Sequence, residues 1–118
     1  MFKNLIENYP DLNVSNESFS NEIICEEVLK DAELININFL NFDFQHTDFQ
    51  HCNSYSCTFK NCKFHNDFSL WRKCNFYECV FENCKFADLE WSRVDFYSTQ
   101  FINFSFENLK LTRSNFIT

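Results

Sequence analysis

A large apolar residue recurs at every fifth position through the second half of the chain, and this spacing constrains the fold more than any other feature. An α-helix turns about 100° per residue, so a step of five would spiral these side chains around the helix. In a flat strand, an odd step would send them to alternate faces. Burying them together requires a chain that turns a corner after each short extended piece. The repeated residues are Trp71, Phe76, Phe81, Phe86, Trp91, Phe96, Phe101, Phe106, Leu111 and Phe116.

A second inward position is predicted two residues before each of these apolar residues. If the apolar residue is called i, then i−2 points to the same side of a short strand while i−1 points to the other. The i−2 residues are mostly uncharged and often small, and charges and amides collect at i−1, i+1 and i+2. This pattern predicts a solenoid. Six of the i−2 residues are Cys52, Cys57, Cys62, Cys74, Cys79 and Cys84.

The repeat units resemble those of the pentapeptide-repeat family, as in AELIN, TDFQH, CNFYE, CKFAD, VDFYS and SNFIT. The resemblance covers 17 consecutive repeats, from Ala32 to Thr118. It implies an all-β, right-handed quadrilateral β-helix of about four coils, with four repeats per coil. Residues 1–31 are predicted to be an acidic N-terminal capping segment, looser around Pro10, and residues 32–118 the β-helix. Ser54 departs from the family pattern because it stands at an i position.

The rhythm is interrupted once, because the step from Phe64 to Trp71 is seven residues rather than five. A two-residue outward bulge within residues 65–70 would preserve the order of the four faces. Outward residues test this assumption: two columns of like residues step by 20, 22 and 20 positions, so both require the bulge. One continuous solenoid is therefore predicted. The columns are Asn41, Asn61, Asn83, Asn103 and Ile35, Tyr55, Tyr77, Tyr97, Ile117.

This register defines four faces by their inward i residues. Face one carries Leu34, Ser54, Phe76, Phe96 and Phe116; face two carries Phe39, Phe59, Phe81 and Phe101; face three carries Phe44, Phe64, Phe86 and Phe106; face four carries Phe49, Trp71, Trp91 and Leu111. The bulge falls between faces three and four. It is either a local packing accommodation or a partner contact, in which case the candidate residues are His65, Asp67 and Phe68.

The composition argues against enzymatic chemistry. The chain has no glycine, whereas phosphate-cradling loops, dinucleotide fingerprints and nucleophile elbows need it. The cysteine spacing does not bring thiolates to one point as a zinc site does, so core filler is the favoured interpretation. Stacked pairs such as Cys52 and Cys74 could approach disulfide distance, but an odd cysteine count and no signal-like start favour a reducing cytoplasm. We expect no enzyme activity, no cofactor, no metal and no membrane span.

The outward residues indicate where a protein partner would bind. The net charge is −7, yet face four is basic through Arg72, Lys73, Arg93, Lys110 and Arg113. Face one is acidic, and its candidate partner surface consists of Tyr55, Tyr77, Tyr97, Glu78 and Asp95. Tyrosine is enriched at interfaces, although inter-coil stacking alone could also select this column. Direct nucleic-acid binding by face four is disfavoured because its tryptophans point inward.

The leading functional hypothesis is a non-enzymatic, rigid protein–protein interaction module. A more distant resemblance, to the Qnr- and MfpA-type members, implies an alternative: a DNA-mimicking modulator of DNA gyrase or topoisomerase IV. Few carboxylates and a basic face argue against it. A structural array without its own activity is a further alternative. The apolar C-terminal coil predicts an end-to-end homodimer, through Phe101, Phe106, Leu111 and Phe116.

Overall fold

The computed structural model describes residues 1–9, 11–65 and 69–118, and within them the chain is an all-β solenoid with one short helix. None of its described helices is long and apolar enough to cross a membrane. The elements are α1 (Phe2–Asn8), β1 (Asn13–Cys25), β2 (Val28–Lys30), β3 (Glu33–Gln45), β4 (Asp48–Gln50), β5 (Asn53–Tyr55), β6 (Thr58–Lys60), β7 (Lys63–His65), β8 (Ser69–Arg72), β9 (Asn75–Tyr77), β10 (Val80–Glu82), β11 (Lys85–Ser92), β12 (Asp95–Tyr97), β13 (Gln100–Ile102), β14 (Ser105–Thr112) and β15 (Asn115–Ile117).

The strand register confirms the predicted four faces. Every strand pair is parallel, and on face two Phe59 pairs with Phe39 of the preceding coil and with Phe81 of the following one. The sequence separations are 20 residues where no bulge intervenes and 22 residues across residues 65–70. On face four, Phe49 pairs with Trp71 across the same interruption. The pairing order therefore continues through the bulge, and the chain forms one solenoid.

The solenoid has about five turns rather than the four that the sequence predicted. The additional coil begins at Asn13, because β1 pairs in register with β3 from Asn13↔Glu33 to Cys25↔Gln45. This coil lies within residues 1–31, which the sequence predicted to be a capping segment. Phe19 and Ile24 keep the five-residue rhythm and pair with Phe39 and Phe44, which is why the ladder extends to this segment despite its acidic i−2 residues.

The corners of the solenoid are made without glycine. Among the described residues, nineteen non-glycine residues have φ between 46° and 59°, and they all occupy the i+2 position. This left-handed region costs roughly 1–2 kcal/mol for an ordinary residue and is best tolerated by Asn and Asp. Backbone hydrogen bonds between coils hold the corners; for example, the Asn61 N–H donates to the Glu82 carbonyl at 2.9 Å.

The core consists of aromatic rings stacked coil on coil. The ring centroids of Phe39 and Phe59, and of Phe59 and Phe81, are 4.7 Å apart with nearly parallel planes. On face four, Trp71 lies 5.1 Å from Trp91. This stacking fills the interior of the solenoid with buried side chains.

Six buried thiols line the core between the ring columns. Each Sγ donates hydrogen bonds to carbonyl oxygens; Cys52 donates to Leu29 at 3.3 Å and Cys74 donates to Phe49 at 3.2 Å. The hydrogen bond with Cys52, together with burial, raises the pKa of the Cys74 thiol. Because the thiols are buried and donate to backbone carbonyls, they act as packed core groups. All seven cysteines are unbonded thiols, and Cys25 is the exposed one.

Candidate interaction surfaces

Three tyrosines on face one form a continuous stacked ladder. The ring of Tyr77 lies 4.9 Å from Tyr55 and 4.8 Å from Tyr97, with interplanar angles of 6° in both pairs. The rings are half-buried and stand outside the solenoid, while Ser54 beside them is buried. Ile35 and Ile117 occupy the same column in the first and last pairings and are exposed. The five residues form one apolar stripe, which we call the tyrosine ladder.

Carboxylates border the tyrosine ladder on both sides. Glu78 is exposed at the corner beside it, and Asp95 is half-buried next to Tyr97. Partial burial and then the negative charge of Asp95 raise the pKa of Tyr97, so the phenol stays neutral and able to donate a hydrogen bond. A shallow groove of about 340 Å³ runs along the ladder. It is lined by Tyr55, Ser56, Tyr77, Glu78, Tyr97 and Ser98.

Amide ladders hold the coils in register next to this surface. On face one, the Asn75 side-chain amide donates to Asn53 Oδ1 at 3.0 Å, and Asn115 donates to Asp95 at 2.9 Å. On face two, Asn83 donates to Asn61 at 3.2 Å in the column that the sequence predicted. These contacts fix the tyrosine ladder on a rigid support.

On face three, β3 and β7 bring together a pair that spacing alone did not reveal. His65 Nε2 lies 2.5 Å from Asp43 Oδ1, and the same carboxylate accepts a hydrogen bond from Gln45 at 2.9 Å. The two residues are 22 positions apart, so only the coil register could have revealed the contact. The other predicted loop contacts, Asp67 and Phe68, lie outside the described residues, as does Pro10.

The C-terminal coil presents apolar side chains to solvent. Phe106, Leu111 and Phe116 are 39%, 50% and 53% exposed, while Phe101 is partly buried against the core. Phe104, at an i−2 position, is also exposed. The four predicted residues of this end are therefore brought to one surface, and Phe104 extends it.

Face four carries a basic groove that the sequence suggested only as a net charge. The groove measures about 440 Å³ and is lined by Leu70, Arg72, Lys73, Glu90, Ser92, Arg93, Thr112 and Arg113. Trp71 and Trp91 are buried beneath it, as expected from their i positions. No aromatic ring is therefore offered to a ligand by the described residues that line the groove.

Comparisons with known proteins give one family match and one match to a solved structure. The model of the family described as pentapeptide repeats matches residues 28–66 and 74–113, with eight copies. The chain is also similar to a solved structure of a trypsin-treated variant of QnrB1, described as a plasmid-mediated fluoroquinolone resistance protein. That similarity amounts to 11% identity and a TM-score of 0.24, over 89% of this chain and 91% of that chain, which is too low to support an argument about function. No curated protein matches the sequence.

Proposed function

The chain belongs to the pentapeptide-repeat family, and from that premise we propose that it is a rigid, non-enzymatic module that binds another protein through face one. The observation that carries the proposal is the tyrosine ladder, three parallel rings fixed about one coil height apart. Rings that are already ordered lose little conformational entropy on binding. Tyrosine also combines a large apolar area with a hydroxyl group, which makes it a frequent anchor of protein interfaces.

The surroundings of the ladder support binding over a purely structural role. Stacking alone needs only the ring faces, yet a groove runs along the ring edges, with the exposed carboxylate of Glu78 beside it. Within the described residues, face one carries no Lys or Arg. A partner with a basic and apolar surface matches this combination. The unbonded buried thiols support a reducing compartment such as the cytoplasm.

Affinity capture with matched variants tests this proposal. The probe is the wild-type chain, compared with a Tyr55→Ala/Tyr77→Ala/Tyr97→Ala variant and with Asn83→Ala, which disturbs an outward ladder on face two. We expect a protein from the host lysate that binds the wild type and Asn83→Ala and is lost with the tyrosine variant. The same set of captured proteins with all three baits would contradict the proposal.

A second candidate function is modulation of a type II topoisomerase by DNA mimicry, which the resemblance to the Qnr- and MfpA-type members implies. The observation that favours it is the acidic face one, where Glu33, Glu78 and Asp95 flank the tyrosine ladder. The basic groove on face four opposes it, because a DNA mimic should present acid along its length. A gyrase supercoiling assay with and without a quinolone, repeated with Tyr77→Ala, decides between the two candidates. An absence of effect at micromolar protein removes the topoisomerase candidate and leaves the interaction module untouched.

We also propose that two copies associate through the C-terminal coil. Exposed apolar patches of this kind mark association surfaces, and Phe106, Leu111 and Phe116 form one. Helix α1 covers the opposite end of the solenoid, where Phe2 is fully buried. Because one end is covered, pairing of the other ends closes as a two-fold dimer and does not propagate into a fibre.

The mass in solution, measured by light scattering, tests the dimer. We expect twice the chain mass for the wild type and the single mass for Leu111→Asp. Ile23→Asp is the matched control, because Ile23 is 61% exposed on the first coil, and it should remain dimeric. A monomeric wild type at ~100 μM would contradict the dimer, since a dimer with a Kd of about 1 μM is the main species at that concentration.

A further inference from the structure

The basic groove on face four has a defined geometry. Its floor is formed by the short side chains of Ser92 and Thr112, which stack at the i+1 position of successive coils. One wall is the i+2 column of Lys73, Arg93 and Arg113, and Arg72 lies at one end. Coils rise about 4.8 Å each, so three cations line a wall of about 10 Å above two hydroxyl groups.

Within the part of the chain that the structure describes, the cations of this groove are not neutralised by ion pairs. Among the described residues, none of Arg72, Lys73, Arg93 and Arg113 makes an ion pair. Glu90 is the one carboxylate of the groove lining, and it stands in register with Lys110 of the next coil. Like charges stacked on adjacent strands destabilise a sheet. The groove therefore carries repulsion that a bound anion would relieve.

The backbone gives no reason for long cationic side chains at these corners. Lys73, Arg93 and Arg113 have φ of 53°, 58° and 53°, a region that Asn and Asp occupy with less strain than other side chains. The corresponding column on face two uses asparagine alone, at Asn21, Asn41, Asn61, Asn83 and Asn103. Corner geometry thus accounts for the asparagine column and leaves the basic column without a structural cause.

We propose that this groove binds a small compound with two or more linked phosphate groups. Guanidinium groups pair with phosphate oxygens in two-point hydrogen bonds, and the lysine adds a point charge. The hydroxyl groups of Ser92 and Thr112 can donate to the same oxygens. The groove volume of about 440 Å³ falls within the range of roughly 300–1,000 Å³ that is common for small-ligand sites.

Two other anions fit the groove less well. Side chains on one side of an extended acidic peptide are about 7 Å apart, which does not match cations spaced at about 4.8 Å. A long nucleic acid would meet the rest of a protein whose net charge is −7, and that field repels an extended polyanion. Single strands also need exposed rings for stacking, and the two tryptophans of this face are buried. A compact phosphate compound neutralises the groove and avoids both mismatches.

Isothermal calorimetry with tripolyphosphate at low ionic strength tests the proposal on the whole chain. We expect binding that weakens as salt is added, since the contacts are ionic. Arg93→Gln should lose about tenfold in affinity, as expected when a charged hydrogen bond is removed, and Arg93→Gln/Arg113→Gln should lose binding altogether. Lys85→Gln, an equal charge change on the exposed surface of face three, should bind like the wild type. Thermal melting of each variant checks the fold.

Two further probes and one further measurement on the wild type identify the ligand chemistry. Equal or tighter binding of tricarballylate, a small tricarboxylate, would overturn the assignment to phosphate. Tighter binding of an oligothymidylate would assign the groove to nucleic acid and overturn the small compound. Amide chemical shifts in the wild type, which need no variant, should change at Arg72, Arg93 and Arg113 on titration with tripolyphosphate. No binding by the wild type, or an equal loss in Lys85→Gln, would overturn the site itself.

Discussion

The carboxylate of Glu22 accepts hydrogen bonds from the backbone N–H groups of Phe2 at 2.9 Å and of Lys3 at 3.0 Å. Glu22 stands at an inward i−2 position and is almost fully buried, as is Phe2. The ring of Phe2 packs edge-on against Phe39, with centroids 4.9 Å apart. The acidic residue that departs from the repeat pattern is therefore the group that fastens helix α1 over the first coil.

Replacing Glu22 should loosen this cover. Glu22→Ala leaves one buried and one part-buried N–H group without an acceptor, and we expect a loss of about 1–3 kcal/mol in the free energy of unfolding. Glu22→Gln keeps one acceptor oxygen and should lose less. Urea unfolding measures both. Glu17→Ala is the matched control, because Glu17 is an exposed i−2 acid of the same strand; equal losses for Glu17→Ala and Glu22→Ala would contradict the role assigned to Glu22.

The cysteines should differ sharply in their reaction with a thiol reagent. Only Cys25 is exposed, whereas the other six thiols are buried and donate to carbonyl oxygens. The hydrogen bond with Cys57 and then burial raise the pKa of the Cys79 thiol, and burial keeps all six thiols away from a reagent in solution. We expect one fast-reacting thiol in the native protein and seven in denaturant, counted by mass spectrometry. Native Cys25→Ser should not react, and fast labelling of a second site would contradict this core.

Tyr97 of the tyrosine ladder should lose its proton only at high pH. Partial burial, followed by the charges of Asp95 and Tyr77, raises the pKa of Tyr97 above the usual value of about 10. A raised pKa of this kind contributes stability that is complete below about pH 10 and is lost as the pH rises through the folded value. NMR of ¹³Cζ-labelled tyrosine resolves each ring. Asp95→Asn should lower the pKa of Tyr97 because it removes a negative charge; an unchanged value would show that Asp95 does not act on this ring.

The two buried tryptophans predict an unusual substitution pattern. Nε1 of Trp71 and Nε1 of Trp91 are buried without an acceptor among the described residues, and an unsatisfied donor costs about 1–3 kcal/mol. Trp91→Phe removes this donor and keeps a ring, so we expect a change within about 1 kcal/mol. Trp91→Ala should cost about 3–5 kcal/mol. Urea unfolding compares the two variants, and equal losses would mean that the indole N–H is satisfied in solution.

Much of the architecture could be predicted because each five-residue repeat adopts the same backbone geometry. The outward columns around Asn61 and Tyr77 indicated the 20- and 22-residue register, and the structure pairs those residues as expected. The first coil was assigned to a cap because Glu22 breaks the inward pattern. The role of Glu22 depends on its contact with the helix at residues 2–8. A local sequence pattern does not predict a contact between segments that are separated in the chain.

The candidate surfaces also differ in whether they could be predicted from the sequence. The tyrosine ladder was visible from spacing, because identical side chains recur at one register position. The spacing of residues did not reveal the His65–Asp43 pair or the basic groove with its serine and threonine floor. Each depends on side-chain lengths and corner conformations on neighbouring coils, which determine whether two registered residues touch or leave a space between them.

The sequence by itself determined the solenoid, its four faces and the inward columns, because a five-residue period with small and large apolar residues buries its side chains only when the chain turns a corner in every repeat. The tertiary structure alone decided what covers the first coil and where the surface of the solenoid is concave. Helix α1 closes the first coil through Phe2, while Leu111 and Phe116 of the last coil remain exposed. The physical reason is that the inward side chains of the solenoid are buried by the same contacts in every repeat. Covering the first coil depends instead on helix α1, a segment that lies outside the repeat.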